Sequence, residues 1–292
     1  MRGRIVVLHL ILGLAATAAF AQDPALAPRQ PGAAAIPADL YCSGMVTTEA
    51  VPRETFIVSG EESNYKTTFQ EGNYVYINKG ASNGVKVGDV FSVMRPVVND
   101  TGVVWFAWQN SLARAMGQQW EDEGRLRVVV AQPNVSIAQV LESCDAMYRG
   151  DIVVPFVERP SPPLKPEDKF DRFAPPSGQK VAMLVTSKRY QMQLGQNDIV
   201  FVNLGSSQGV KVGDYFRIFR YQGNQRETVY QQTRLSFAVY GFGSVPLKYK
   251  WDSVPREVIG EGIVIRATPN ASTVLITFTL REAFLGDYVE LE

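Results

Sequence analysis

The chain has 292 residues, 29 basic and 29 acidic side chains, and one histidine, His9. It contains no block of five like charges. Nucleic acid and anionic membrane surfaces need clustered basic charge, so neither is an expected partner.

Arg2 and Arg4 precede an apolar run from Ile5 to Ala18, and Ala19-Phe20-Ala21 offers a small-x-small cleavage site before Gln22. This is the pattern of a secretory signal peptide over residues 1–21. The alternative, an uncleaved anchor, calls for a longer apolar run. Gln22 rather than cysteine follows the cut, so no lipid is expected there. No later stretch is long and apolar enough to span a bilayer, so the mature chain is expected to be soluble and exported, periplasmic or extracellular. Without Arg2 and Arg4 it carries 27 basic against 29 acidic residues. His9 leaves with the leader. A chain without histidine has no Ser-His-Asp triad, Cys-His pair or His-containing zinc site. Neither a metal nor a cofactor is expected. In an exported chain Cys42 and Cys144 are expected to form a disulfide, with two free thiols as the alternative.

Residues 22–40 are rich in Pro and Ala and read as a flexible tether. A second Pro-rich stretch, 158–180, reads as an interdomain linker, or alternatively as a long loop wrapped on a single domain. Between and after them lie two β domains, 41–157 and 181–292. "NYVYINKG" (73–80) matches "DIVFVNLG" (198–205), and "GASNGVKVGDVF" (80–91) matches "GSSQGVKVGDYF" (205–216). "VVVAQPNVSIAQV" (128–140) matches "VIRATPNASTVLI" (264–276), and "RGDIVV" (149–154) matches "LGDYVE" (285–290). The offset is 125 in the first half and 136 in the second, so the later copy carries an eleven-residue insertion. Four blocks in one order predict a tandem duplication.

"VYINKG" and "VFVNLG" alternate as half-buried strands do. "SIAQVLESCDAM" has helical spacing, but its partner "STVLITFTL" is β-branched and aromatic, so both are expected to be strands. "WQNSLARAMGQQW" is the main helix candidate, with Trp108, Leu112, Met116 and Trp120 on one face and Gly117 weakening it. The fold class is therefore mainly β, with two tandem duplicated small β-barrel-like domains.

Within the repeated twelve, Gly80, Gly84, Gly88 and Asp89, and likewise Gly205, Gly209, Gly213 and Asp214, are expected to be structural turn residues. "VKV" is expected to be a short extended segment with both valines inward. The paired Asp89 and Asp214 do not stand in the Asp-Thr/Ser-Gly setting of an aspartic-protease dyad. The glycine spacing fits neither a P-loop nor a dinucleotide fingerprint. Asp89, Asp151, Asp214 and Asp287 would bind calcium only if they converged. No catalytic residues are assigned. The candidate interaction surface is aromatic: Trp105, Trp108 and Trp120 in the first copy, Tyr240, Tyr249 and Trp251 in the second. Each is core if buried, a binding surface if exposed.

A strand ending "VYINKG" or "VFVNLG", then "GVKVGD" with an aromatic, then a "GD" strand, resembles the C-terminal domain of flagellar assembly protein T. It is also similar to β modules found beside LysM domains in bacterial envelope proteins. "YCSG" together with "SIAQVLESCDAMYRGDIVVPF" looks still more like uncharacterised secreted proteins of Acidobacteria, in which Cys42 and Cys144 would be paired. The resemblance implies a small β-barrel module, an envelope setting and no catalytic residues. The expectation is a non-enzymatic envelope protein that binds a protein or glycan partner, with strand addition at a free edge as one mode. The alternatives are a structural subunit of a periplasmic assembly such as a flagellar or secretion-associated ring, in which case the chain would oligomerise, and a carboxylate-based glycan-acting enzyme.

Overall fold

The computed structural model describes residues 32–99, 102–166, 170–221, 237–239, 242–244 and 255–292. The expected signal peptide, residues 22–31 of the tether, and Tyr240, Tyr249 and Trp251 lie outside the described residues.

The protein is mainly β. The first half carries α1 (Pro37–Tyr41), β1 (Met45–Thr47), β2 (Ile57–Gly60), β3 (Thr68–Phe69), β4 (Tyr74–Ile77), β5 (Val90–Pro96), α2 (Gln109–Met116), β6 (Gln118–Ala131), β7 (Ser136–Ser143), β8 (Met147–Tyr148) and β9 (Ile152–Pro155). The second carries β10 (Val181–Ser187), β11 (Gln193–Leu194), β12 (Ile199–Val202), β13 (Tyr215–Tyr221), β14 (Phe237–Val239), β15 (Phe242–Ser244), β16 (Arg256–Ala267), β17 (Ser272–Thr279), β18 (Ala283–Phe284) and β19 (Tyr288–Leu291). The first set forms a sheet of order β2-β4-β7-β6-β5-β9, with β1 alongside β6. The second forms a closed barrel of order β10-β12-β17-β16-β13-β19. The two orders correspond strand for strand.

They differ at the seam. In the barrel, β10 pairs with β19 from Val181 opposite Glu290 to Met183 opposite Tyr288. In the first sheet the matching seam is one bridge, Phe56 to Ile152, flanked by Ile57 N–H donating to the Asp151 carbonyl and Val153 N–H to that of Thr55. β2 has four residues where β10 has seven, so less backbone is available to pair. Strand addition has no place on the closed barrel, because closure leaves no edge.

The repeated twelve fold alike, bond for bond. Gly88 and Gly213 N–H donate to the Val128 and Val264 carbonyls, and Ala81 and Ser206 N–H to those of Gln132 and Thr268. The Asp89 and Asp214 side chains accept the N–H of Lys86 (2.9 Å) and Lys211 (2.8 Å). Gly80 and Gly205 are required by close approach. A Cβ there would sit 2.0 Å from the Gln132 carbonyl oxygen and 2.2 Å from that of Thr268. Gly84 and Gly209 are required by backbone, at φ 85° and 95°, where L-residues are strained. The expected extended "VKV" is not a strand. A 3-10 turn precedes it in each copy, and only the first valine turns inward: Val85 and Val210 are buried, Val87 and Val212 exposed.

The described parts of both Pro-rich stretches are more ordered than their composition suggests. Ala34 and Ala35, expected in the flexible tether, are buried. Ala34 N–H donates to the Pro162 carbonyl and Leu164 N–H to that of Gly32, so the end of the tether pairs with the start of the linker. Ala34, Ala35 and Leu40 then cover Ile199, Ile263, Ile265 and Leu275 on the outside of the barrel. The inner core of the barrel holds Leu184, Val200, Val202, Val264, Val274 and Ile276. β12 is thus buried along its whole length, which corrects the alternating pattern expected of "VFVNLG". β7 alternates buried and half-buried residues along its length and confirms the strand reading of "SIAQVLES".

The predicted helix is shorter than its pattern. α2 stops at Met116, because Gly117 takes φ 112°. Trp108 caps it from outside and Trp120 falls on β6, so the expected four-residue stripe is divided between helix and strand.

Candidate functional site

The first sheet and the barrel meet along a cleft. Cys42 and Cys144 are disulfide-bonded, with Cα atoms 5.4 Å apart. They border a cavity of about 410 Å³ whose walls carry Glu121, Asp122 and Glu123 from β6, Asp145 after β7, and Lys188, Arg189 and Tyr190 after β10. On their other side lies a cavity of about 310 Å³ lined by Asp39, Glu142 and Asp198 and by the same Lys188 and Arg189.

Glu123 is the most deeply buried carboxylate of this cleft. It is 0% exposed, and among the described residues neither carboxylate oxygen has a hydrogen-bond partner. Arg95 Nη1 lies 3.3 Å away, but that guanidinium is committed to Asp151 at 2.8 and 2.7 Å and to the Ala146 carbonyl at 3.0 Å. Burial therefore dominates and pushes the Glu123 carboxyl up to about 7, against the pull of Arg95. Arg220 and Asp287 repeat the Arg95–Asp151 pair at 2.7 and 2.5 Å. By the repeat offset of 136, Ile259 occupies the place of Glu123.

The neighbours of Glu123 are held more firmly. Asp122 accepts the Gly44 N–H at 2.9 Å and faces Arg159 and Arg266 at 3.8 and 3.7 Å. Glu121 accepts the Tyr190 hydroxyl at 2.7 Å; burial first, and this bond second, push that phenol up. Tyr190 sits in left-handed backbone at φ 55°. Burial, with Arg189 adding to it, pulls the Lys188 ammonium down.

Beside the cleft lies an apolar face. Trp108 is 80% exposed and occupies left-handed backbone at φ 76°. Val98, Val103 and Val104, in the same connection between β5 and α2, are also exposed. Val98, Val103 and Trp105 line a further cavity of about 560 Å³ shared with Tyr190 and Leu285 of the second half. The loop is pinned by buried Gln109, which accepts the Trp105 N–H and donates to the Val185 carbonyl, both at 2.8 Å.

The sequence-predicted aromatics divide accordingly. Trp108 is surface and Trp105 half-buried. Trp120 is core, packed with Met45, Met94 and Ile152. The repeated glycines, Asp89 and Asp214 stay within their own turns and do not meet at a common site. Asp151 and Asp287 are each taken by an arginine. Sequence reading missed Glu123, Lys188 and Tyr190. Glu123 has a signal in the repeat, a carboxylate where the other copy has isoleucine; Lys188 and Tyr190 have none. No protein-family model matches the chain, and no curated protein matches it.

Proposed function

We propose that this is a non-enzymatic protein, exported to the periplasm or beyond, that binds an envelope protein or glycan through the face around Trp108. We read its two halves as copies of one module. The observation that carries the binding reading is Trp108 itself. A tryptophan held 80% exposed in left-handed backbone costs stability twice, by exposing apolar area and by straining the chain. A ligand stacking on the indole offsets the first cost. The disulfide and the leader-like N-terminus support export.

Crosslinking and pull-down from native envelopes, run beside a glycan array, test the reading. The wild-type chain should capture a partner that Trp108→Ala loses, and the mature N-terminus should be Gln22. Equal capture by both proteins would remove Trp108 from the site. Rings formed by the purified protein alone would support a structural subunit instead.

One observation favours a second reading, a glycan-acting enzyme: Glu123 holds a raised pKa in a cleft that also carries Glu121 and Asp122. Its 0% exposure argues against contact with substrate. Glycan hydrolysis that is lost in Glu123→Gln would establish the enzyme.

A further inference from the structure

We propose that the Cys42–Cys144 disulfide is a thiol-exchange site, opened by small-molecule thiols that enter from the cleft. A structural disulfide sealed in a core resists exchange because no thiolate reaches it. This bond instead stands between two cavities, of about 310 and 410 Å³, and both cysteines line each of them. Cys144 is half-buried and Cys42 is 8% exposed, so the incoming thiolate meets Cys144 first.

The chemistry balances with a thiol as the reductant. A thiolate attacks Cys144 Sγ, a mixed disulfide forms there, and Cys42 Sγ leaves as a thiolate. A second thiolate attacks the outer sulfur of the mixed disulfide and releases Cys144. Two thiols become one small disulfide, and the protein gains two S–H groups. The Tyr41 carbonyl, 3.6 Å from Cys144 Sγ, accepts the proton of the new thiol.

Lys188 and Arg189 are the two cations common to both cavities. A cation beside a cysteine favours its thiolate and so makes it a better leaving group. Lys188 is half-buried, and Asp122, Asp39 and Glu121 act on its ammonium through space. Opening the bond releases the C-terminal end of α1 from the turn between β7 and β8 and lets the two cavities join.

Reduction of the full mature chain by 2-mercaptoethanol, followed by alkylation and mass spectrometry, tests this. The rate should rise in proportion to thiol concentration under conditions where the fold persists. Lys188→Gln should slow it about threefold, the size expected for one lost cation acting on a leaving thiolate, with Tm unchanged. Trp108→Ala should leave the rate as it is, which separates this site from the binding face. A rate that levels off at a thiol-independent value would show that the bond is sealed until the chain opens, and would overturn the proposal. An unchanged rate in Lys188→Gln would remove the lysine from the reaction.

Discussion

Glu123 stands in β6 where Ile259 stands in β16, and the exchange has a consequence for pH. Its carboxyl binds the proton more tightly in the folded chain, at about 7, than at the ordinary value of 4.5. Between these values the folded state keeps a proton that the unfolded state releases. This contribution to stability is full below pH 4.5 and is lost as pH rises through 7, by on the order of 3 kcal/mol. Denaturant midpoints at pH 5 and pH 8 should therefore fall further in the wild type than in Glu123→Gln; equal falls would mean that Glu123 is not the source. The glycines give a second residue-scale test. Gly80→Ala must displace the Gln132 carbonyl, whereas Gly84→Ala meets open space and only backbone strain. The second should cost about 1 kcal/mol and the first more than twice that, measured by urea unfolding. Both glycines are evident in the repeat, but their reasons are not. Gly80 answers to a carbonyl 52 positions away, which no local pattern encodes.

At the scale of elements, β6 and α2 show where periodicity misleads. Trp108, Leu112, Met116 and Trp120 fall four apart, yet Gly117 ends the helix and hands Trp120 to a strand. The apolar stripe on α2 answers to the barrel rather than to the first sheet, since Leu112 and Met116 pack against Val185, Phe201 and Ala271. Phe106, just before α2, goes further and joins the barrel core with Leu184, Leu194 and Leu285. Phe106→Ala should thus cost about 3–5 kcal/mol, although the residue belongs by sequence to the other half. Hydrogen exchange should show the loss of protection in β10 and β19; a loss confined to β5 and β6 would contradict this packing. The strand pattern carried a clue to the contact. The barrel strand "IVFV" is apolar throughout, and "VLI" of β17 is a continuous apolar run, as in strands covered on both faces. "SIAQVLES" alternates buried with half-buried residues because its outer face is only partly covered.

For the molecule as a whole, the Pro-rich linker suggests two domains that fold alone, and the contacts between the halves argue otherwise. Met45 packs against Trp120 in the first sheet, and one residue later Val46 packs against the barrel. The Thr268 hydroxyl donates to the Val46 carbonyl at 2.6 Å, and Gln109 reaches Val185. None of these partners is close in sequence, which is why composition pointed to an interdomain linker. A fragment of residues 181–292 would lack Phe106 from its core and the Ala34–Leu40 segment from its outer face. Each fully buried apolar side chain removed from such a contact is worth roughly 1.5–3 kcal/mol, and small domains have only about 5–15 kcal/mol to lose. The fragment should therefore fail to fold alone, while the full chain unfolds in one transition. Tryptophan fluorescence, which draws on Trp105, Trp108 and Trp120 in the first half and on Trp251 alone in the second, and far-UV circular dichroism, which reports all strands, should give one midpoint in urea. Two separated midpoints, or a fragment with native-like dispersion in its amide spectrum, would show that the barrel stands by itself and that the contacts between the halves contribute little to its stability.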